Sequence, residues 1–201
     1  KAIGNPKIEE LDRKFIAIAA NLENYQRVVF NSGCLLEAVH ASCAMPGIIV
    51  PVEVNGIRCV DGGVVDPVPV SVLKKYTDVD YVIAVSTTPT LDDLDSDEAV
   101  EAVVLANEQD DSDSASAWIK SKISSLGKKY NPVAKGNMLD TLRRSLKAAQ
   151  IRIAHDACKK ADVAIFPVCM NSAWNEYERY EYFISLGAKE ALGALEQIKE
   201  L

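Results

Sequence analysis

Asp61-Gly62-Gly63-Val64-Val65-Asp66-Pro67-Val68-Pro69-Val70 follows the apolar pair Cys59-Val60, so a carboxylate stands where a strand gives way to two glycines. Glycine tolerates backbone angles and close approaches that other residues resist, which leaves the Asp61 side chain unshielded at the end of its strand. Pro69 suits the first turn of the helix expected from Val70 to Tyr76. An Asp-Gly dipeptide by itself is ordinarily a turn. A functional reading therefore needs support from elsewhere in the chain.

That support lies upstream, in Ala41-Ser42-Cys43-Ala44-Met45-Pro46-Gly47 and the following Pro51. The two blocks together resemble the patatin-like lipid acyl hydrolases, in which an Ala-Ser-x-Ala-x-Pro helix end precedes an Asp-Gly-Gly or Asp-Gly-Ala motif. The resemblance places Asp61 on the acid of a Ser-Asp catalytic dyad. It makes Gly62, Gly63, Ala41, Ser42 and Pro46 the supporting frame of the substrate pocket. It extends to Phe15–Ala20, Val28–Phe30 and Tyr81–Val85, and Ala161–Pro167 and Gly187–Ala191 look like the bacterial branch of the family. Residues from about 90 to 136 resemble nothing in it and read as a variable insertion, acidic first and then basic. Ala20-Asn21-Leu22 and Ile49 are smaller departures, confined to loop detail.

Such enzymes carry their serine in a Gly-x-Ser-x-Gly elbow and their oxyanion donors in a glycine-rich loop, both earlier in the chain. Neither pattern occurs in these 201 residues. The expectation is a C-terminal portion of one larger hydrolase domain, inactive in isolation until its N-terminal segment supplies the nucleophile. The resemblance implies a serine-dependent esterase acting on a phospholipid, lysophospholipid or other acyl ester, with no cofactor and no metal. Two alternatives stand beside it. One is a catalytically dead relative serving as a binding or regulatory module; the other is an unrelated α/β protein in which Asp61 and Asp66 hold a cation.

No serine within the chain replaces the missing one. Ser42 and His40 lie two residues apart on one helix and do not face each other. His155 neighbours Asp156 on another helix, and Ser32-Gly33 lacks the glycine and the leading strand of an elbow.

Composition fits a single soluble domain: 201 residues, 48% hydrophobic, with a mean hydropathy near zero, suffice for one substantial core. A cytoplasmic location is expected, with peripheral membrane attachment as an addition. Five scattered cysteines without a Cys-x-x-Cys pair read as buried, reduced thiols. The net charge of −7 is unevenly spread, because Tyr76 to Ile119 holds 12 acidic residues and no lysine or arginine. That balance argues against nucleic acid as a partner. Its serine-rich acidic clusters read as solvated loops rather than a calcium site. Residues 118 to 135 reverse the sign, joining Trp118, Ile119, Ile123 and Leu126 to five lysines. Such a segment is either an interfacial helix meeting anionic headgroups or a surface helix with solvated lysines.

Periodicity supplies the remaining order. Strands are expected at Lys14–Ala20, Gln26–Phe30 and Gly56–Val60, a buried strand at Asp80–Thr87, and another at Asp162–Val168; helices are expected at Leu35–Ala44 and Val70–Tyr76. Leu139, Leu142, Leu146, Ala149, Ile153 and Ala157 predict the inner face of a long helix, and Ile184, Ala188, Ala191, Leu195 and Ile198 that of the last one. Trp174, Tyr177, Tyr180, Tyr182 and Phe183 read as an aromatic seal. The alternation predicts an α/β fold with a mainly parallel sheet flanked by helices on both faces. By the resemblance this is the patatin-like three-layer sandwich, incomplete at the N-terminus.

Overall fold

The computed structural model describes residues 4–91, 138–168 and 176–201. Its strands are β1 (Ala17–Asn21), β2 (Arg27–Phe30), β3 (Val52–Val54), β4 (Ile57–Asp61), β5 (Ile83–Val85) and β6 (Val163–Ile165). Its helices are α1 (Leu35–Ser42), α2 (Val70–Tyr76), α3 (Met138–Cys158), α4 (Tyr180–Gly193) and α5 (Leu195–Lys199).

The first sheet has the order β2-β1-β4-β3, and all three of its pairings are antiparallel. Ala17, Ile18, Ala19 and Ala20 of β1 are all buried, so this strand is covered on both faces. Ala19, Ala41, Val54 and Cys59 form one core beneath α1, extended by Val28, Phe30 and Ile57. The small side chains of Ala19 and Ala41, both fully buried, let helix and sheet approach closely.

The second sheet is the parallel pair β5-β6, in register from Ile83 with Val163 to Val85 with Ile165. Val82 and Ala84 pack here against Val68 and Val70 and against Ala154 and Cys158 of α3. Asp162 fixes the start of the pair, its Oδ2 accepting the Val82 N–H at 2.8 Å. Lys74 of α2 caps the same corner by donating to the Lys160 carbonyl at 2.8 Å.

The α/β class holds, while the sheet differs from the expected mainly parallel one flanked on both faces. Loop length is the physical reason. β3 and β4 are joined by Asn55-Gly56 alone, at φ of 51° and 77°, which is the two-residue turn that forces a hairpin. Five residues join β1 to β2, again too few for the crossover a parallel pairing requires. The expected Asp80–Thr87 strand shortens to three residues, of which Ala84 is buried and Ile83 and Val85 are exposed.

Two helix faces also differ. On α3 the buried residues are Ile151, Ala154 and Cys158, whereas Leu142 is 52% exposed and Ile153 37%. The expected last helix is divided at Ala194 into α4 and α5, neither with a buried residue. Tyr177, Tyr180 and Tyr182 are exposed rather than sealing a core; Arg179 lies over the rings of Tyr182 and Phe183 instead. Trp174, Cys169 and nearly all of the acidic and basic insertion, including 118–135, lie outside the described residues. Among the described residues no helix is long and apolar enough to cross a membrane.

Candidate active site

Asp61 is the last residue of β4, and its backbone ties the strand to the end of α1: its N–H donates to the Ala44 carbonyl at 2.9 Å. The chain then turns through a single 3-10 turn at Gly62–Val64, closed by the amides of Val65 and Asp66 on the Gly62 carbonyl at 3.0 and 2.8 Å. Gly62 is obligatory here on steric grounds, since a Cβ would stand 2.1 Å from the Ile18 carbonyl oxygen of β1. The turn therefore lies directly on β1.

The half-buried Asp61 carboxylate divides its duties. Oδ1 accepts the Gly63 N–H at 2.7 Å. Oδ2 has no hydrogen bond among the described residues, and because no buried side-chain N or O atom there lacks a partner, Oδ2 is solvent-accessible. Gly63 keeps the space beside it open: an added Cβ would meet Asp61 Oδ1 at 3.1 Å and Gln150 Nε2 of α3 at 3.3 Å.

Asp61 lines a cavity of about 460 Å³, within the range of small-molecule sites. Apolar walls come from the segment Phe15 to Ile18, from Val39 and from Pro67 to Pro69; polar groups come from Ser42, Asp66, Ser86, Thr88 and Gln150. Ser86 to Thr88 follow the C-terminal end of β5, the end of a parallel strand where ligands characteristically bind. Asp66 is 9% exposed, and its carboxylate is ion-paired with Arg27 of β2. That pair anchors the far end of the Asp61 turn across β1, and it occupies the carboxylate that a cation loop would have needed. Among the described residues no group of three or more His, Cys, Asp or Glu is arranged to hold a metal.

Of the residues nominated from sequence, Asp61, Gly63 and Ser42 line the cavity. Gly62 is buried in the turn beside them, Ala41 belongs to the core under α1, and Pro46 is exposed and does not line the cavity. Gln150 and the Ser86–Thr88 run were missed. A polar Ser-Thr-Thr directly after an apolar strand was the available signal for the second; nothing marks Gln150 in the helix pattern. The described thiols differ in exposure, with Cys34 intermediate. Cys59 and Cys158 are buried and burial pushes both upward in pKa, whereas Cys43 is exposed at the cavity.

Comparison with known proteins finds similarity over the first part of the chain. The family model described as patatin-like phospholipase matches residues 1–74, the segment that carries β1 to β4, α1 and the Asp61 turn. An NTE family protein of Mycobacterium tuberculosis is 39% identical over 84 residues, covering 42% of this chain and 23% of the relative. A second protein of that name and organism is 33% identical over 79 residues, covering 39% of this chain and 14% of the relative. Lysophospholipase NTE1 of Candida albicans is 32% identical over 85 residues, covering 42% of this chain and 6% of the relative. The chain thus spans less than a quarter of the length of these relatives. Over residues 1–74, then, the chain is similar to the patatin-like phospholipase family, with NTE family proteins and a lysophospholipase among its relatives.

Proposed function

We propose that the chain supplies the general base of a serine esterase that hydrolyses acyl esters of lipids, phospholipid or lysophospholipid among them. The observation carrying this reading is the asymmetry of Asp61: one oxygen is held by Gly63, and the other is open beside a cavity of about 460 Å³. A serine hydroxyl is a weak nucleophile near neutral pH and needs an adjacent base. As the serine Oγ bonds to the ester carbonyl carbon, its proton passes to Asp61. The C–O bond to the alcohol then breaks, and that proton leaves with the alcohol. Water attacks the acyl-serine with Asp61 again accepting a proton, which returns to the serine as the fatty acid departs.

The serine belongs, in this reading, to polypeptide outside these 201 residues, so the chain forms a C-terminal portion of one hydrolase domain and is inactive alone. The exposed apolar residues Ile83 and Val85 of β5, a strand paired along one edge only among the described residues, and exposed Tyr81 just before it offer such a segment a surface. A peripheral membrane contact through 118–135 and a cytoplasmic location belong to the same proposal. Fluorophosphonate labelling of the complete gene product tests it: one covalently modified serine is expected, and absence of labelling favours a catalytically dead binding module.

A further inference from the structure

The Gln150 amide is not needed for the base chemistry, yet it is aimed at the same place. Its Nε2 and Asp61 Oδ1 both lie within van der Waals reach of the one point that a Gly63 side chain would fill. Gln150 makes no hydrogen bond to any described residue, although it is partly buried on α3, next to the core residue Ile151. A glutamine amide offers two N–H donors and a carbonyl acceptor. Nearby in the cavity lining, Ser86 is 2% exposed, and its Oγ is paired with Thr88 Oγ1 at 2.8 Å. Ser86 is further fixed by its backbone N–H donating to the Ile165 carbonyl at 2.9 Å. The lining thus combines a fixed hydroxyl pair with an amide that has no hydrogen bond among the described residues.

These groups match an alcohol's own chemistry, since a hydroxyl both donates and accepts. A phosphate in the same place would face the carboxylates of Asp61 and Asp66, and of the two only Asp66 is ion-paired among the described residues. Like charges in a shared, partly desolvated cavity repel. We infer that Gln150, with Ser86 and Thr88, forms the subsite for the alcohol portion of the ester, and that among the esters accepted it favours an uncharged alcohol with free hydroxyls, as in a glycerol or sugar monoester, over a phosphate-bearing one. The inference rests on Asp61 as the base, because the departing alcohol must pass beside the group that returns its proton.

The test uses the complete gene product and three esters of one fatty acid: its glycerol monoester, its ethyl ester and the corresponding lysophospholipid. The ratio of kcat/KM for the glycerol ester over the ethyl ester is expected to fall roughly tenfold in Gln150→Leu, mainly through KM, as loss of a neutral hydrogen bond implies. Thr88→Val, which conserves shape, is expected to move the ratio in the same direction and guards against a folding defect in the first variant. The unaltered enzyme is expected to prefer the glycerol ester to the lysophospholipid. A ratio unchanged within about twofold in both variants, or the reverse preference, overturns the subsite. Asp61→Asn separates the two claims: if it turns over normally the base assignment fails, whereas the ratio in Gln150→Leu is read with Asp61 intact.

Discussion

Gly63 holds Asp61: its backbone amide donates to Oδ1 at 2.7 Å, across a turn in which Gly62 has no room for a side chain and Gly63 only tight room. The same dipeptide that bends the chain therefore orients the acid, and stability and site geometry are coupled at two adjacent positions.

Gly62→Ala is expected to be severe, because the new methyl would stand 2.1 Å from a β1 carbonyl oxygen in the middle of the sheet. Relief requires the turn or β1 to shift, at a cost of about 3 kcal/mol or more. Gly63→Ala is expected to cost under about 1 kcal/mol, since its neighbours at 3.1 and 3.3 Å are side chains that can move. Urea denaturation of the two variants measures the difference; equal losses would contradict the placement of Gly62 against β1.

The Arg27–Asp66 pair joins the sheet edge to the end of the Asp61 turn, with the arginine side chain 41% exposed and the aspartate 10%. Arg27→Met leaves a nearly buried carboxylate without its cation and is expected to destabilise by about 2 kcal/mol. Adding Asp66→Asn removes the stranded charge, so the double variant is expected to lose less than the sum of the singles. A double-mutant cycle checks this, and strict additivity would mean that the two side chains do not interact.

Much of this arrangement was legible in the sequence. The Val70–Tyr76 helix and the strand that leads into Asp61 follow from local patterns that tertiary packing did not override, whereas Ser42 was nominated by the resemblance alone. The sheet direction was misjudged because periodicity reports strands but not their pairing; the two-residue Asn55-Gly56 connection carried that information and β3 went unread. The α3 face was misjudged for another reason. Leu142 is more hydrophobic than Ala154, yet the helix approaches β5 closely enough that the alanine is the residue buried. Gln150 carries no periodic or motif signal, and only the approach of α3 to the Gly63 turn gives it meaning.

Burial raises the pKa of Cys59 and Cys158 above the ordinary thiol value of 9.0. The sign follows from proton linkage: above pH 9.0 the unfolded chain releases thiol protons that the folded chain retains, so stability is kept below that pH and declines above it. Urea midpoints measured from pH 8 to pH 10.5 are expected to fall less in a Cys59→Val, Cys158→Ala double variant than in the parent. An identical decline in both would contradict a protonated, buried state for these thiols.

Accessibility should order the thiols in the same way. Brief iodoacetamide treatment of the folded chain at pH 7.5 is expected to modify exposed Cys43 before buried Cys59 and Cys158, which become reactive on unfolding. Peptide mass spectrometry reads the order; early labelling of Cys59 would contradict its position in the core under α1.

The most direct measurement is ester turnover by the complete gene product with Asp61 replaced by Asn, alongside thermal melting of the same sample. With the fold retained, loss of the base is expected to lower kcat by about 10²-fold to 10⁴-fold. Turnover within about twofold of the parent, from a variant that melts at the parent temperature, would contradict the assignment of Asp61 as the proton acceptor.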